Sequence, residues 1–227
     1  MMICPESYYE LYLKDKTADE ILSTIRGLKN EIGRLKNVAE NPEYQCTIHP
    51  SEKVRISCTR EYLERAKQAL ADLVFEYKPS KTELKIGDFN ENIPYISKIT
   101  LSIGGYFYGV DVCEITVGET QVELKSAHAD IPALLTGLDL RTIYDKEEFL
   151  ELFRKLYIGE WRSKYNTKRF GYTICDGTQW SLEINYSNGI KPVKIYGDNA
   201  YPYNFDDLKY LMELEDYDES EEDGEYE

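Results

Sequence analysis

Apolar residues recur along this chain with two periods, and the change from one to the other falls near residue 93. Between Thr17 and Asn41, the residues Ile21, Ile25, Leu28, Ile32 and Leu35 stand alternately four and three apart. That spacing lays them along one stripe of an α-helix, in the manner of a coiled-coil seam. Thr17 and Glu20 form a T-x-x-E capping box at its start, and Asn41-Pro42 ends it. Gly27 and Gly33 inside the stretch cost about 1 kcal/mol each against alanine, so such a helix needs a partner. The second stripe supplies one, with Leu63, Ala66, Leu70, Leu73 and Tyr77 repeating the spacing over Thr59–Tyr77. Matching stripes joined by a short loop predict an antiparallel helical hairpin. The polar stretch 78–92, with one proline and one glycine, reads as a linker.

After residue 93 the period moves toward two. Residues 97–103, 106–117 and 121–128 alternate as strands do, with turns at Gly104-Gly105 and at 117–120. Asp145 and Glu148 form a second capping box, opening a helix through Phe149, Leu152, Phe153 and Leu156. Three strand-like runs follow, GYTIC (171–175), QWSLEINYS (179–187) and KPVKIYG (191–197). In the second, Trp180, Leu182, Ile184 and Tyr186 alternate with Ser181, Glu183 and Asn185, giving one buried and one wet face. Asn188-Gly189 is a strong hairpin signal, and Asp176-Gly177 reads as the preceding turn. The fold class is therefore α+β. A mostly antiparallel sheet of five or six strands with one or two packed helices occupies 91–214, a helical hairpin and linker occupy 1–90, and an acidic tail covers 215–227.

The stretch GDNAYPYNF (197–205) must carry the chain from a strand into a last helix, 205–214. Gly197 and Asn199 tolerate positive φ, and Pro202 biases Tyr201 to extended backbone. Asn204 suits an N-cap, and Asp206 and Asp207 suit the positive end of the helix. Every residue type has a structural use, so the stretch reads as a turn and not as a pocket floor. The run DGTQWSLEINYSNGIKPVKIYGDNAYPYNF, with its tryptophan-centred strand, NG hairpin and G-x-N-A-Y-P turn, resembles a C-terminal module of uncharacterised bacterial proteins of the gut-clostridial type. The upstream EWRSKY and SIGGYF fit the same resemblance. It covers the later 130 or so residues, and the first 80 more weakly; it implies a fold unit and no activity.

Charge changes the picture at one place. The net charge is −15, yet residues 213–227 hold ten acidic and no basic side chains, which leaves −5 for everything before them. The first ninety residues are nearly balanced, with 14 basic and 15 acidic. With no basic stripe, direct nucleic-acid binding is not expected. The 20 tyrosines suit half-buried sheet faces and contact surfaces, and packing accounts for most of them. Cys4, Cys46, Cys58, Cys113 and Cys175 are odd in number and scattered, as expected of reduced cytoplasmic thiols. The N-terminus shows no signal-peptide pattern, and no stretch is apolar enough for a membrane span.

Candidate chemistry adds little. Cys46 and His49 form C-x-x-H, with Cys58 and Cys4 as further thiols, but four well-placed zinc ligands are not evident, so no metal or other cofactor is expected. Only His49 and His128 could serve a triad, and His128 reads as an exposed strand end. No phosphate loop or nucleophile elbow is present, and the adjacent Gly104 and Gly105 do not make G-x-G-x-x-G. Glu147/Glu148 and Asp206/Asp207 are explained by helix starts. Glu114 and Glu123 are expected in strand salt links with Lys98 or Lys125. The leading expectation is a non-enzymatic protein-interaction module for a partner with a basic surface. Its contact residues are Tyr203, Asp206, Asp207, Asp216, Tyr217, Asp218, Glu219, Glu221, Glu222 and Asp223. A second copy packing through the hairpin is a further partner. A sharper version is an acidic nucleic-acid mimic that inhibits a host nuclease, as anti-CRISPR proteins do. The alternative is an enzyme whose dispersed site is lined by Asp198, Asn199 and Tyr203.

Overall fold

A computed structural model of the chain describes residues 3–46, 49–105, 109–129, 139–174 and 177–214. The helices are α1 (Pro5–Tyr8), α2 (Ala18–Ala39), α3 (Glu52–Asp72), α4 (Lys81–Asn92), α5 (Lys146–Lys155) and α6 (Phe205–Leu211). The strands are β1 (Ile96–Gly105), β2 (Gly109–Val117), β3 (Gln121–Ala129), β4 (Asp139–Asp145), β5 (Lys164–Asn166), β6 (Thr178–Tyr186) and β7 (Val193–Asp198). The chain is α+β, with an N-terminal helix pair and a seven-stranded, mostly antiparallel sheet. It divides into two compact units. The first is Met1–Phe89 with Lys164–Cys175 and Gly197–Tyr203; the second is Asn90–Ser163 with Asp176–Tyr196 and Asn204–Glu227. The first unit thus includes two stretches from beyond the expected boundary at residue 90.

In the first unit, Thr17 and Glu20 make both halves of the capping box that opens α2. Leu13, Ile21, Ile25, Leu63, Ala66, Ala69 and Leu70 bury into one apolar cluster. Arg55, in the first turn of α3, pairs with Glu31 in the second half of α2 at 3.3 Å. Ile21 and Ile25, from the first half of α2, cluster instead with Ala69 and Leu70 of the last turns of α3. The two helices therefore run antiparallel. α3 begins two turns before the expected Thr59, because the Ser51 hydroxyl accepts the Val54 N–H and Ile56 extends the buried stripe backward. It stops at Asp72 and not at Tyr77. Val74 there takes φ +56°, and the N–H groups of Val74 and Phe75 donate to the carbonyls of Ala71 and Leu70. Tyr77 packs against the cluster from outside the helix. Residues 78–92 are not a linker throughout, since α4 fills most of them; Ser80 and Glu83 cap it reciprocally.

Val74 is 95% exposed and β-branched in a left-handed conformation, which costs about 1–2 kcal/mol with no packing in return. Val74→Gly is expected to raise stability by about 1 kcal/mol, read as a higher urea midpoint at unchanged m-value. A lower midpoint would show that the valine makes a contact that offsets its backbone.

The strands of the second unit run in the order β4-β3-β2-β1-β6-β7. Ile99, Leu101, Cys113, Ile115, Val122, Leu124, Trp180, Leu182 and Ile184 fill one face. The buried stripes of α5 and α6 cover it; Phe205 lies 4.6 Å from Trp180, centroid to centroid, and Phe149 packs 6.2 Å from Tyr144. The stripe of α5 runs through Phe149, Leu150 and Phe153, so Leu150 and not Leu152 faces inward. The other face carries the expected salt link Lys98–Glu114, at 2.6 Å, and a further one between Lys194 and Glu183 at 2.9 Å. Glu123 stands opposite Thr116 and not beside Glu114.

Three turn and strand expectations need correction. Gly104 and Gly105 are not a turn but the last residues of β1, paired with Val110 and Gly109. A Cβ on Gly104 would stand 2.8 Å from the Gly109 carbonyl oxygen, and this close approach is what the glycine permits. β2 starts at Gly109; residues 106–108 lie outside the described residues. GYTIC is not a strand, because Gly171 takes φ +93° after a 3-10 turn, Thr167–Phe170, and 172–174 have no regular structure. Cys175 and Asp176 lie outside the described residues.

Candidate functional site

Among the described residues, the cysteines and histidines do not assemble into a metal site. Cys4 caps α1, its thiol accepting the Ser7 N–H at 3.4 Å, and its hydrogen bonds with the Ser7 hydroxyl and amide pull its pKa down. Cys58 sits half-buried on α3, where burial pushes its thiol up. Cys46 and His49 are exposed. Buried Cys113 donates to the Met212 carbonyl at 3.4 Å. His128 Nδ1 lies 2.7 Å from an Asp111 carboxylate oxygen, directly across the β2–β3 ladder. Among the described residues, no three His, Cys, Asp or Glu side chains come together as metal ligands.

The stretch 197–205 divides between the two units. Asn199 takes the left-handed conformation at φ +50°, and its amide donates to Asp198 at 2.8 Å. Gly197 lies inside β7 and has no positive φ. Tyr203 belongs with the helices of the first unit. Arg60 donates to its hydroxyl at 3.0 Å, and the Lys36 and Arg60 cations lie 5.5 and 5.7 Å from its ring centre. Nearby in the same unit, buried Glu40 pairs with Arg169 at 2.7 Å, and Arg169 also donates to Asn37. Tyr203 is therefore engaged within its own unit.

Asn204, in the second unit, is not a side-chain cap for α6. Its Oδ1 accepts the Trp161 indole N–H at 3.1 Å, and its Nδ2 donates to the Leu156 carbonyl at 2.7 Å. The helix it precedes is shorter than expected, ending at Leu211. Asp206 is exposed, 3.4 Å from Lys209, and Asp207 is half-buried in the first turn. Both suit the positive end of the helix.

The end of α6 holds the feature that sequence reasoning did not find. Glu213 turns left-handed at φ +51°, and the Leu214 N–H returns to the Lys209 carbonyl at 3.0 Å. The Glu213 carboxylate accepts hydrogen bonds from the hydroxyls of Thr142 (2.7 and 2.8 Å) and Tyr144, both on the covered face of β4. Burial and the Glu213 charge push the Tyr144 phenol up to about 12, so it remains a donor at neutral pH. The acidic segment therefore begins from a fixed root. The remaining expected contact residues, Asp216, Tyr217, Asp218, Glu219, Glu221, Glu222 and Asp223, lie outside the described residues. Among the described residues no helix is long and apolar enough to cross a membrane. The chain matches no protein-family model, no curated protein and no solved structure.

Proposed function

We propose that the chain is a non-enzymatic protein-interaction module whose acidic segment engages a basic surface on another protein. The observation that carries this reading is the segregation of charge about a fixed point. Ten acidic side chains and no basic ones stand in 213–227, against a net of −5 for all that precedes them. The first of the ten, Glu213, is tied to Thr142 and Tyr144. Carboxylates dense in sequence and rooted at one place attract a cationic patch over a Debye length and speed encounter more than they deepen affinity. A protein with a cationic groove of the kind that holds nucleic acid fits this description. Tyr203 drops out of the contact set, being bound by Arg60.

The test is affinity purification from the native cell with the full chain and with a chain ending at residue 214. The expected partner is retained by the full chain and lost from the shortened one. It is released as salt rises from about 0.1 M to 1 M, over which the Debye length falls from about 10 Å to 3 Å. A set of retained proteins indifferent to both truncation and salt would sink the reading.

A further inference from the structure

The short helix α6 presents two unlike sides. Phe205 and Leu208 are buried on one of them, and Met212 follows them into the core. On the other stand Asp206 and Tyr210, one turn apart, with the Asp206 side chain 87% exposed and Tyr210 87% exposed. Among the described residues no other aromatic side chain is as exposed, and the Tyr210 side chain has no hydrogen-bond or ring partner. The fold gains little from a large ring left in water. Three residues further on, Glu213 is fixed by Thr142 and Tyr144, and the Tyr210 phenol lies within electrostatic reach of Tyr144. The ring therefore stands beside the root of the acidic segment.

The face of a phenol ring is electron-rich and attracts a cation. Residues four apart on a helix hold their Cβ atoms about 5–6 Å from each other, so one partner group can meet both the ring and the carboxylate. Lys209 stands 3.4 Å from Asp206 Oδ1 and leaves Oδ2 to a second cation. A guanidinium can lie flat on the ring while its N–H groups reach the carboxylate, which a compact ammonium does less well. We infer that Tyr210 and Asp206 form a seat for an arginine side chain of the protein that the acidic segment engages. This rests on the proposed function and adds to it the chemistry of one contact. Charge selects the occupant. An apolar surface laid on this ring would strand the Asp206 carboxylate and abut the ten acidic residues of 213–227, and those residues repel a nucleic-acid strand. Because Glu213 is tied down, an arginine on Tyr210 also fixes where the acidic segment meets its partner.

The test measures, by fluorescence anisotropy, the binding of labelled nona-arginine and nona-lysine peptides to the full chain. Tyr210→Ala is expected to weaken nona-arginine binding about fivefold, equivalent to about 1 kcal/mol, and to leave nona-lysine within about twofold. Tyr210→Phe keeps the ring and is expected to bind both as wild type does. Tyr210 is exposed, so both variants keep the fold, and an unchanged thermal transition confirms that. An equal loss for both peptides in Tyr210→Ala overturns the inference, as does an unchanged affinity for nona-arginine. A chain ending at residue 214 is expected to lose most of its affinity for both peptides and to keep the fivefold effect of Tyr210→Ala. If that chain binds both peptides as the full chain does, the acidic-segment reading fails, and the seat is judged on Tyr210→Ala alone. No binding of nona-arginine by the full chain overturns both.

Discussion

Asn204→Ala is expected to destabilise the protein by about 3 kcal/mol, lowering Tm by about 6–12 °C for a chain of this size. Asn204 is 3% exposed and joins two groups that have no water to turn to. Its oxygen takes the indole N–H of Trp161, which is buried against Trp180 and Phe205. Its amide supplies a donor to the Leu156 carbonyl at the end of α5, one of the carbonyls that every helix leaves unpaired. Alanine strands both, at about 1–3 kcal/mol each. Asn204→Ser separates this from an ordinary helix cap. Serine is a good N-cap, so a capping role predicts little loss. The bridge predicts a loss close to that of alanine, because one hydroxyl cannot span both partners. Chemical denaturation of the three proteins decides it, and a serine variant within 0.5 kcal/mol of wild type, about the size of a surface change, would refute the bridge.

Asn204 also shows where sequence ceases to be legible. A polar residue ahead of an apolar run with two aspartates reads locally as a cap, and the partners that claim it lie 48 and 43 residues earlier. α2 was readable because its signals are local, a capping box at Thr17 and a proline after Asn41. α4 has an S-x-x-E signal of the same kind but buries no residue fully, so no stripe advertises it. β4 conceals itself by inversion. Its covered positions are the hydroxyls Thr142 and Tyr144, which serve Glu213, while Ile143 points outward and is half-exposed. A period-two reading looks for the opposite arrangement. Glu213 has no local signature at all; one more glutamate at the head of an acidic run gives no hint that its carboxylate is bound. The charge segregation needed only counting.

Glu83→Gln is expected to cost about 2 kcal/mol at neutral pH, and nearly nothing at pH 2. Five groups converge on this carboxylate. Lys29 donates at 2.7 Å, the Tyr77 hydroxyl at 2.8 Å, and the Ser80 N–H and hydroxyl at 2.8 Å each; Lys67 stands 3.7 Å away. The side chain is only 18% exposed, so solvent screens little of this. Burial pushes its pKa up, but the Lys29 ammonium with the Ser80 and Tyr77 donors outweighs that and brings it to about 2, from an ordinary 4.5. A depressed folded pKa means that the unfolded chain binds the proton first. The stabilisation is then complete above about pH 4.5 and drains away as pH falls toward 2. Lys29 mirrors it with the sign reversed, for burial alone lowers its pKa while Glu83 and Tyr77 raise it overall. Its contribution is full below its unfolded 10.5 and is lost as pH rises through the higher folded value. Other carboxylates titrate in the acid range, Glu31, Glu52 and Glu183 among them, so the quantity to plot is the difference between wild type and Glu83→Gln. That difference should be flat from about pH 5 to 8 and close toward zero at pH 2. A gap of constant size across the whole range would mean that the carboxylate acts by shape alone, and that α4 is held to the helix pair by packing and not by this charge.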